Sequence, residues 1–198
     1  RAVKIAYSLK TLGQNTNDIL ISTNGNIWTS ASNLGGITNI ISVAYGNSMF
    51  IGLGYGSVIV RSIDNGNTWT AATTVGSITY AIDAAYGARL WVAIGDGLIV
   101  SSTDGSNWSD VTYNGSLTAP TGISYANGKW IIVGSGSIIA TSTDGNTWTD
   151  ITNVGGLTFG YSIAWRPPII SGLWVAVGGS SFIAKSPDGN TWSPATTK

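Results

Sequence analysis

Short apolar runs separated by Gly, Asn and Ser recur along the whole chain, and they return in the same order. One set ends in an aromatic after small residues: Ile5-Ala6-Tyr7, Val43-Ala44-Tyr45, Ala84-Ala85-Tyr86, Ile123-Ser124-Tyr125 and Ile163-Ala164-Trp165. A second set follows after a short turn: Phe50-Ile51-Gly52-Leu53-Gly54, Trp91-Val92-Ala93-Ile94-Gly95, Trp130-Ile131-Ile132-Val133-Gly134 and Trp174-Val175-Ala176-Val177-Gly178. A third is Ile19-Leu20-Ile21, Val58-Ile59-Val60, Leu98-Ile99-Val100, Ile138-Ile139-Ala140 and Phe182-Ile183-Ala184. Runs of roughly four to eight residues, rich in β-branched and aromatic types and bounded by turn formers, predict strands. No stretch holds a helical period long enough to compete.

After each third run comes one motif, clearest as Ser142-Thr143-Asp144-Gly145-Asn146-Thr147-Trp148, with variants at 22–28, 62–69, 102–108 and 186–192. Its tryptophans, Trp28, Trp69, Trp108, Trp148 and Trp192, are separated by 41, 39, 40 and 44 residues. A period of about 40 residues with four short strands per repeat is the signature of propeller blades. The pattern predicts an all-β, five-bladed antiparallel β-propeller in a single domain over 1–198. The blades run approximately over 1–36, 37–76, 77–116, 117–156 and 157–198. The first two strands of each repeat are nearly all small or apolar, as inner and middle strands packed between blades should be. The strand that starts at the Trp is the half-exposed outer edge. Blade 1 is the poorest copy. The Ile5-Ala6-Tyr7 match favours reading it as the inner strand, with the polar residues 11–14 as the second. The alternative makes 3–9 the second strand and leaves the inner one missing.

Composition narrows the chemistry. Nine Lys+Arg balance nine acids, all of them Asp, and there is no His and no Cys. The usual transition-metal ligands and all thiol chemistry are therefore absent, and no metal or other cofactor is expected. Charged residues are 9% of the chain, against about 25% in an ordinary soluble domain. No basic footprint for nucleic acid exists, and no apolar run approaches the roughly 20 residues of a membrane span.

The motif has a physical reading of its own. An Asp at a tight turn accepts several backbone N–H bonds, Gly supplies the positive φ, and the Trp buries a large ring whose N–H can find a carbonyl. It also resembles the Asp box, Ser-x-Asp-x-Gly-x-Thr-Trp, of the bacterial-neuraminidase-repeat propellers. Ser62-Ile63-Asp64-Asn65-Gly66-Asn67-Thr68-Trp69 fits that form residue for residue, and the other copies are one residue shorter. The box positions are Asp64, Trp69, Asp104, Trp108, Asp144, Trp148, Asp188 and Trp192, with Asn24 replacing the acid in blade 1. The resemblance spans essentially the whole chain. It implies a sialidase-like propeller of the non-catalytic branch, found in cell-surface, virion and phage-tail proteins, and hence an extracellular or particle-surface setting.

Catalysis as in the sialidases of that superfamily would need an arginine triad and a Tyr/Glu pair. There is no Glu, and Arg61, Arg89 and Arg166 do not fall together. Two carboxylates suffice for a glycosidase. Outside the boxes, and outside the paired positions Asp110 and Asp150, there remain Asp18, Asp83 and Asp96, of which Asp83 and Asp96 are the candidates. With so bare an acid–base inventory the expectation is that the chain is not an enzyme. It is expected to be a binding module for a protein partner or a glycan, alone or within a larger chain or assembly. A lectin-type propeller and an Asp-based glycoside hydrolase are the alternatives. Aromatic and polar positions that vary inside the repeat frame mark the expected ligand face: Tyr80, Phe159, Asn39, Tyr55, Asp83, Asp96 and Tyr113. The insertion Arg166-Pro167-Pro168-Ile169-Ile170 is a candidate docking loop on the opposite face.

Overall fold

A computed structural model of the chain describes residues 4–8, 18–167 and 172–195. It is all-β apart from one 3-10 turn at Gly179–Ser181. Sheet 1 holds β1 (Lys4–Ser8), β2 (Asp18–Ser22) and β3 (Thr29–Ser30). A two-residue strand, β4 (Asn33–Leu34), leads to sheet 2, made of β5 (Ile40–Gly46), β6 (Met49–Gly54), β7 (Ile59–Ser62) and β8 (Thr68–Ala71). A second such strand, β9 (Thr74–Val75), leads to sheet 3, made of β10 (Asp83–Gly87), β11 (Leu90–Gly95), β12 (Leu98–Ser102) and β13 (Asn107–Val111). Sheet 4 is β14 (Pro120–Ala126), β15 (Lys129–Gly134), β16 (Ile139–Ser142) and β17 (Thr149–Ile151). Sheet 5 is β18 (Gly160–Arg166), β19 (Leu173–Gly178), β20 (Ile183–Ser186) and β21 (Ser193–Pro194).

Consecutive strands of each sheet pair antiparallel, and the inner strands β5, β10, β14 and β18 lie side by side in that order. The middle strands show why their sequence is apolar at every position. Trp130 and Ile132 of β15 pack back on Val92 and Ile94 of sheet 3, while Ile131 and Val133 pack forward on Ile163, Trp174 and Ala176 of sheet 5. A strand covered on both faces loses the polar alternation of a half-exposed one. The core is therefore a stack of layers between sheets, each layer rich in Trp and Ile.

Two expectations change. In sheet 1 the strand Lys4–Ser8 pairs directly with the strand that precedes the motif, Tyr7 opposite Ile19. That is the place of the middle strands elsewhere, as Leu53 opposite Ile59 shows. The run Ile5-Ala6-Tyr7 is thus a second strand and not an inner one, and no inner strand completes sheet 1 among the described residues. Small-apolar-aromatic runs suit both places, so only pairing distinguishes them. Residues 11–14 lie outside the described residues. The second change is at the outer edge, where β4 and β9 add a fifth strand, parallel, to sheets 2 and 3.

The motif turn is built from its own atoms. In sheet 4 the Ser142 hydroxyl donates to Asp144 Oδ1 at 3.0 Å and accepts the Gly145 N–H at 2.8 Å. Asp144 Oδ1 accepts the N–H groups of Asn146 and Thr147 at 2.8 and 2.7 Å. The Trp148 indole N–H donates to the Gly145 carbonyl at 3.0 Å. The same set recurs around Asp104 and Asp188. Gly145 holds φ +78, the left-handed region that only glycine adopts without strain. The longer copy around Asp64 keeps the scheme by adding Asn65, itself at φ +62. These bonds act on ionised carboxylates. The N–H groups of Thr147 and Asn146 hold the Asp144 carboxyl at about 2, and those of Thr191 and Asn190 do the same for Asp188. Asp104 and Asp64 are lowered likewise, by Asn107 with Ser106 and by Thr68.

Candidate binding site at one end of the sheets

The turns after the middle strands and the segments that cross to the next inner strand meet at one end of the fold. Gly54, Gly95, Gly134 and Gly178 close the middle strands there. A Cβ on any of them would fall on the carbonyl of Asn39, Tyr80, Ala119 or Phe159 respectively. The invariant glycine of the repeat is thus a close approach between middle strand and crossing segment. Hydrogen bonds stitch the same contact: Tyr55 N–H to the Asn39 carbonyl (3.2 Å), Ser135 N–H to Ala119 (3.1 Å) and Gly179 N–H to Phe159 (2.9 Å). Others reach the next crossing segment: Ser57 N–H to Thr79 (2.7 Å) and Ser137 N–H to Thr158 (3.2 Å).

This lacing holds two aromatic pairs. Tyr55 and Tyr80 form an isolated antiparallel bridge, and their rings stack with centroids 5.1 Å apart and planes at 21°. Tyr55 remains 52% exposed. Phe159, bridged to Ser135, meets Tyr161 at 5.0 Å with planes tilted by 54°, and Tyr161 is 59% exposed. The arrangement offers apolar ring faces fixed on well-bonded backbone, which suits stacking or side-chain capture at little entropic cost.

The remaining expected site residues divide. Asn39 is exposed beside Tyr55. Asp96 sits in the adjoining turn of sheet 3 and accepts the N–H groups of Thr79 (2.7 Å) and Tyr80 (2.8 Å) and the Thr79 hydroxyl. Partial burial opposes ionisation, but these donors together hold its carboxyl below the usual range. Asp83 bridges three inner strands, accepting from Ser42 Oγ of sheet 2, its neighbour Ala84 N–H, and Ile123 N–H of sheet 4, at 3.3, 2.9 and 3.1 Å. Burial pushes its pKa up, and the Ile123, Ala84 and Ser42 bonds offset part of that rise. Both carboxylates thus brace the frame under the aromatic pairs. Tyr113 is elsewhere: its ring packs with the core of sheet 4, and its hydroxyl donates to Asp150 and accepts the Leu117 N–H. Of the docking loop, Arg166 ends β18 and Pro167 follows it exposed, while Pro168, Ile169 and Ile170 lie outside the described residues.

Sequence reasoning did not single out Tyr161, which lies two residues past the varying position Phe159. Nor did it give a role to Asp110 and Asp150. Asp110 accepts the N–H and hydroxyl of Ser77 and so pins the linker to the outer strand of sheet 3, and Asp150 accepts the Ser116 N–H in sheet 4. Their shared position two residues after the Trp was the available signal. Among the described residues no cluster of His, Cys, Asp or Glu could hold a metal ion, and no helix is long and apolar enough to cross a membrane.

No protein-family model matches the chain, and no curated protein matches it. Solved structures do. Virginiamycin B lyase from Staphylococcus aureus superposes with a TM-score of 0.76 at 15% identity, over 91% of this chain and 63% of its own. The Niastella koreensis GH74 enzyme gives 0.66 at 19% identity, over 91% of this chain and 28% of its own. YCF48 bound to D1 peptide gives 0.61 at 20% identity, over 81% of this chain and 54% of its own. The chain folds as a β-propeller. It spans less than two thirds of the length of these propellers. Two of them are enzymes, so the expectation that the chain is not an enzyme, drawn from its bare acid–base inventory, does not stand: the propellers it resembles include a lyase and a glycoside hydrolase. At these identities the likeness carries the fold alone and assigns this propeller no activity.

Proposed function

We propose that this chain is a five-bladed Asp-box propeller whose function is to bind a protein partner through the aromatic end of its sheets. The blade count rests on the five sheets, each with one motif turn before its outer strand. The Asp-box reading rests on the Ser–Asp–Gly–Trp hydrogen bonds that recur in them. The observation that carries the binding role is the Tyr55–Tyr80 stack, Tyr55 exposed and Tyr80 half-buried, held on turns whose backbone is bonded to both neighbouring segments. Tyrosine is among the side chains enriched where the binding energy of protein interfaces concentrates. The propeller YCF48, solved bound to D1 peptide, supports the same kind of use.

The test is an array carrying linear peptides and glycans, probed with the purified chain and with a Tyr55→Ser, Tyr80→Ser variant. Binding to a peptide subset, weakened about tenfold or more in the variant, is expected. Signal confined to glycans, or peptide signal that the variant retains, overturns the reading.

A further inference from the structure

The outer edge of sheet 4 differs from those of sheets 2 and 3. In sheet 2 the arriving linker lies parallel on β8, Asn33 opposite Thr68 and Leu34 opposite Trp69. In sheet 3 it lies on β13, Thr74 opposite Asn107 and Val75 opposite Trp108. The Ser32 N–H donates to the Asn67 carbonyl at 3.0 Å, and the Thr73 N–H to Ser106 at 2.8 Å. The Thr74 hydroxyl donates to the Trp108 carbonyl and accepts the Trp108 N–H, both at 3.1 Å. Leu34 and Val75 pack into the layers that hold these tryptophans, and Trp69 and Trp108 are fully buried.

The linker that reaches sheet 4 has the same length but reads Tyr113-Asn114 where the others read Asn33-Leu34 and Thr74-Val75. Tyr113 turns inward, so close beneath its own linker that a Cβ on Gly115 would fall on its ring. Extended chain alternates its side chains, so an inward residue at 113 sends 114 outward, and Asn114 is exposed. No linker strand joins the sheet, which ends at β17; sheet 5 ends likewise at β21, but there Val154 of the linker is buried in the layer that holds a buried Trp192. Trp148 is left half-buried. A groove runs between the linker and the outer strand, lined by Thr112, Asn114, Gly115, Asn146, Trp148 and Asp150 among others.

We propose that this groove takes an extended peptide, which adds to residues 147–148 as a parallel strand with Thr or Asn followed by Val or Leu. The chain supplies the template for this occupant, because its own linker segments fill the equivalent place in sheets 2 and 3. Strand addition of this kind takes affinity from main-chain bonds and selectivity from the pockets for alternate side chains. Among the described residues that line the groove, the one charged side chain is Asp150, already engaged by Tyr113 and Ser116, which favours an uncharged segment. The site is separate from the aromatic end and does not depend on the function proposed for it.

The probe is a labelled heptapeptide with the sequence of residues 71–77, titrated with the intact chain and followed by fluorescence anisotropy. Saturable binding is expected. Replacing the peptide's second Thr with Pro should weaken it about tenfold or more, since Pro brings neither an N–H nor a hydroxyl. The double substitution Tyr113→Thr with Asn114→Val rewrites the linker as in sheet 3, and the chain should then seal its own edge and lose the peptide to the same degree. Should that variant not fold, hydrogen exchange on the parent chain decides: the peptide should slow exchange at Trp148 and Thr149. No saturation, equal binding of the Pro peptide, a folded variant that binds like the parent, or protection at Tyr55 and Tyr80 alone would each overturn the proposal.

Discussion

The middle and end sheets carry the same repeat but not the same burial. Ile59, Ile99 and Ile139 hold one position in sheets 2, 3 and 4 and are at most 4% exposed, whereas Ile183 at that position in sheet 5 is 39% exposed. Val177 follows suit, exposed where Leu53, Ile94 and Val133 are fully buried. At the other end Trp28 is 37% exposed, against 1% and 2% for Trp69 and Trp108. Its indole nevertheless donates to the Gly25 carbonyl at 3.2 Å, and Asn24 Oδ1 still accepts two N–H groups. The turn therefore forms from local bonds, while burial of its Trp and of the face before it comes from the adjoining sheet. Local geometry and tertiary stabilisation are separable in this chain.

The sharpest break of that comparison is a pair of truncations. Trp108→Ala should cost about 3–5 kcal/mol and Trp28→Ala less than about 2, because only the first opens a cavity between sheets. Chemical denaturation of both variants checks it, and equal losses would show that the turn, not the layer, supplies the stability. Trp148, half-buried, should fall between them. Next in size, Ile139→Ala should cost about 2–4 kcal/mol and Ile183→Ala about 1 or less, read from the same unfolding curves.

Acid should act on the turns and not on the layers. The carboxyls of Asp144 and Asp188 lie at about 2 in the folded chain against 3.8 for an unperturbed Asp. Their contribution is present above the unfolded value and is lost as pH falls from about 4 towards 2. Asp83 runs the other way, its raised pKa favouring the folded state at low pH and ceasing to do so as pH rises through the folded value. Thermal melts from pH 7 to 2 should therefore fall mainly below about 4, and Asp144→Asn should flatten that limb. The smallest effect is a gain. Asn24→Asp should stabilise by up to about 1 kcal/mol at neutral pH, through charge-assisted bonds to the Asn26 and Ile27 N–H groups, and the gain should vanish below about pH 3. A melting temperature unchanged at both pH values would count against the turn scheme.

Much of this fold was legible because the sequence repeats. Five tryptophans at similar intervals and the Gly-closed middle strands led to sheets of four short strands, and the structure gives Gly54 and its counterparts a steric reason. What stayed hidden depends on pairing. A run such as Ile5-Ala6-Tyr7 suits either an inner or a middle strand, and two-residue strands such as β4 and β9 carry no pattern at all. Tyr55, Tyr80, Phe159 and Asn39 were singled out by asking which positions vary within a fixed frame, and the fold gathers them at one end of the sheets. Tyr113 varied too, but a flip of the alternation in its linker turned it into the core. Asp83 and Asp96 looked available as lone acids, but the N–H groups that occupy them, from Ile123 and Tyr80, are brought up by the fold from 40 and 16 residues away.

The most direct test of the binding role is hydrogen exchange of the chain with and without a peptide selected on the array. Protection at the turns around Tyr55 and Tyr80 and the crossing segment at Phe159 and Tyr161 is the predicted result. Protection that leaves all four unchanged would contradict it.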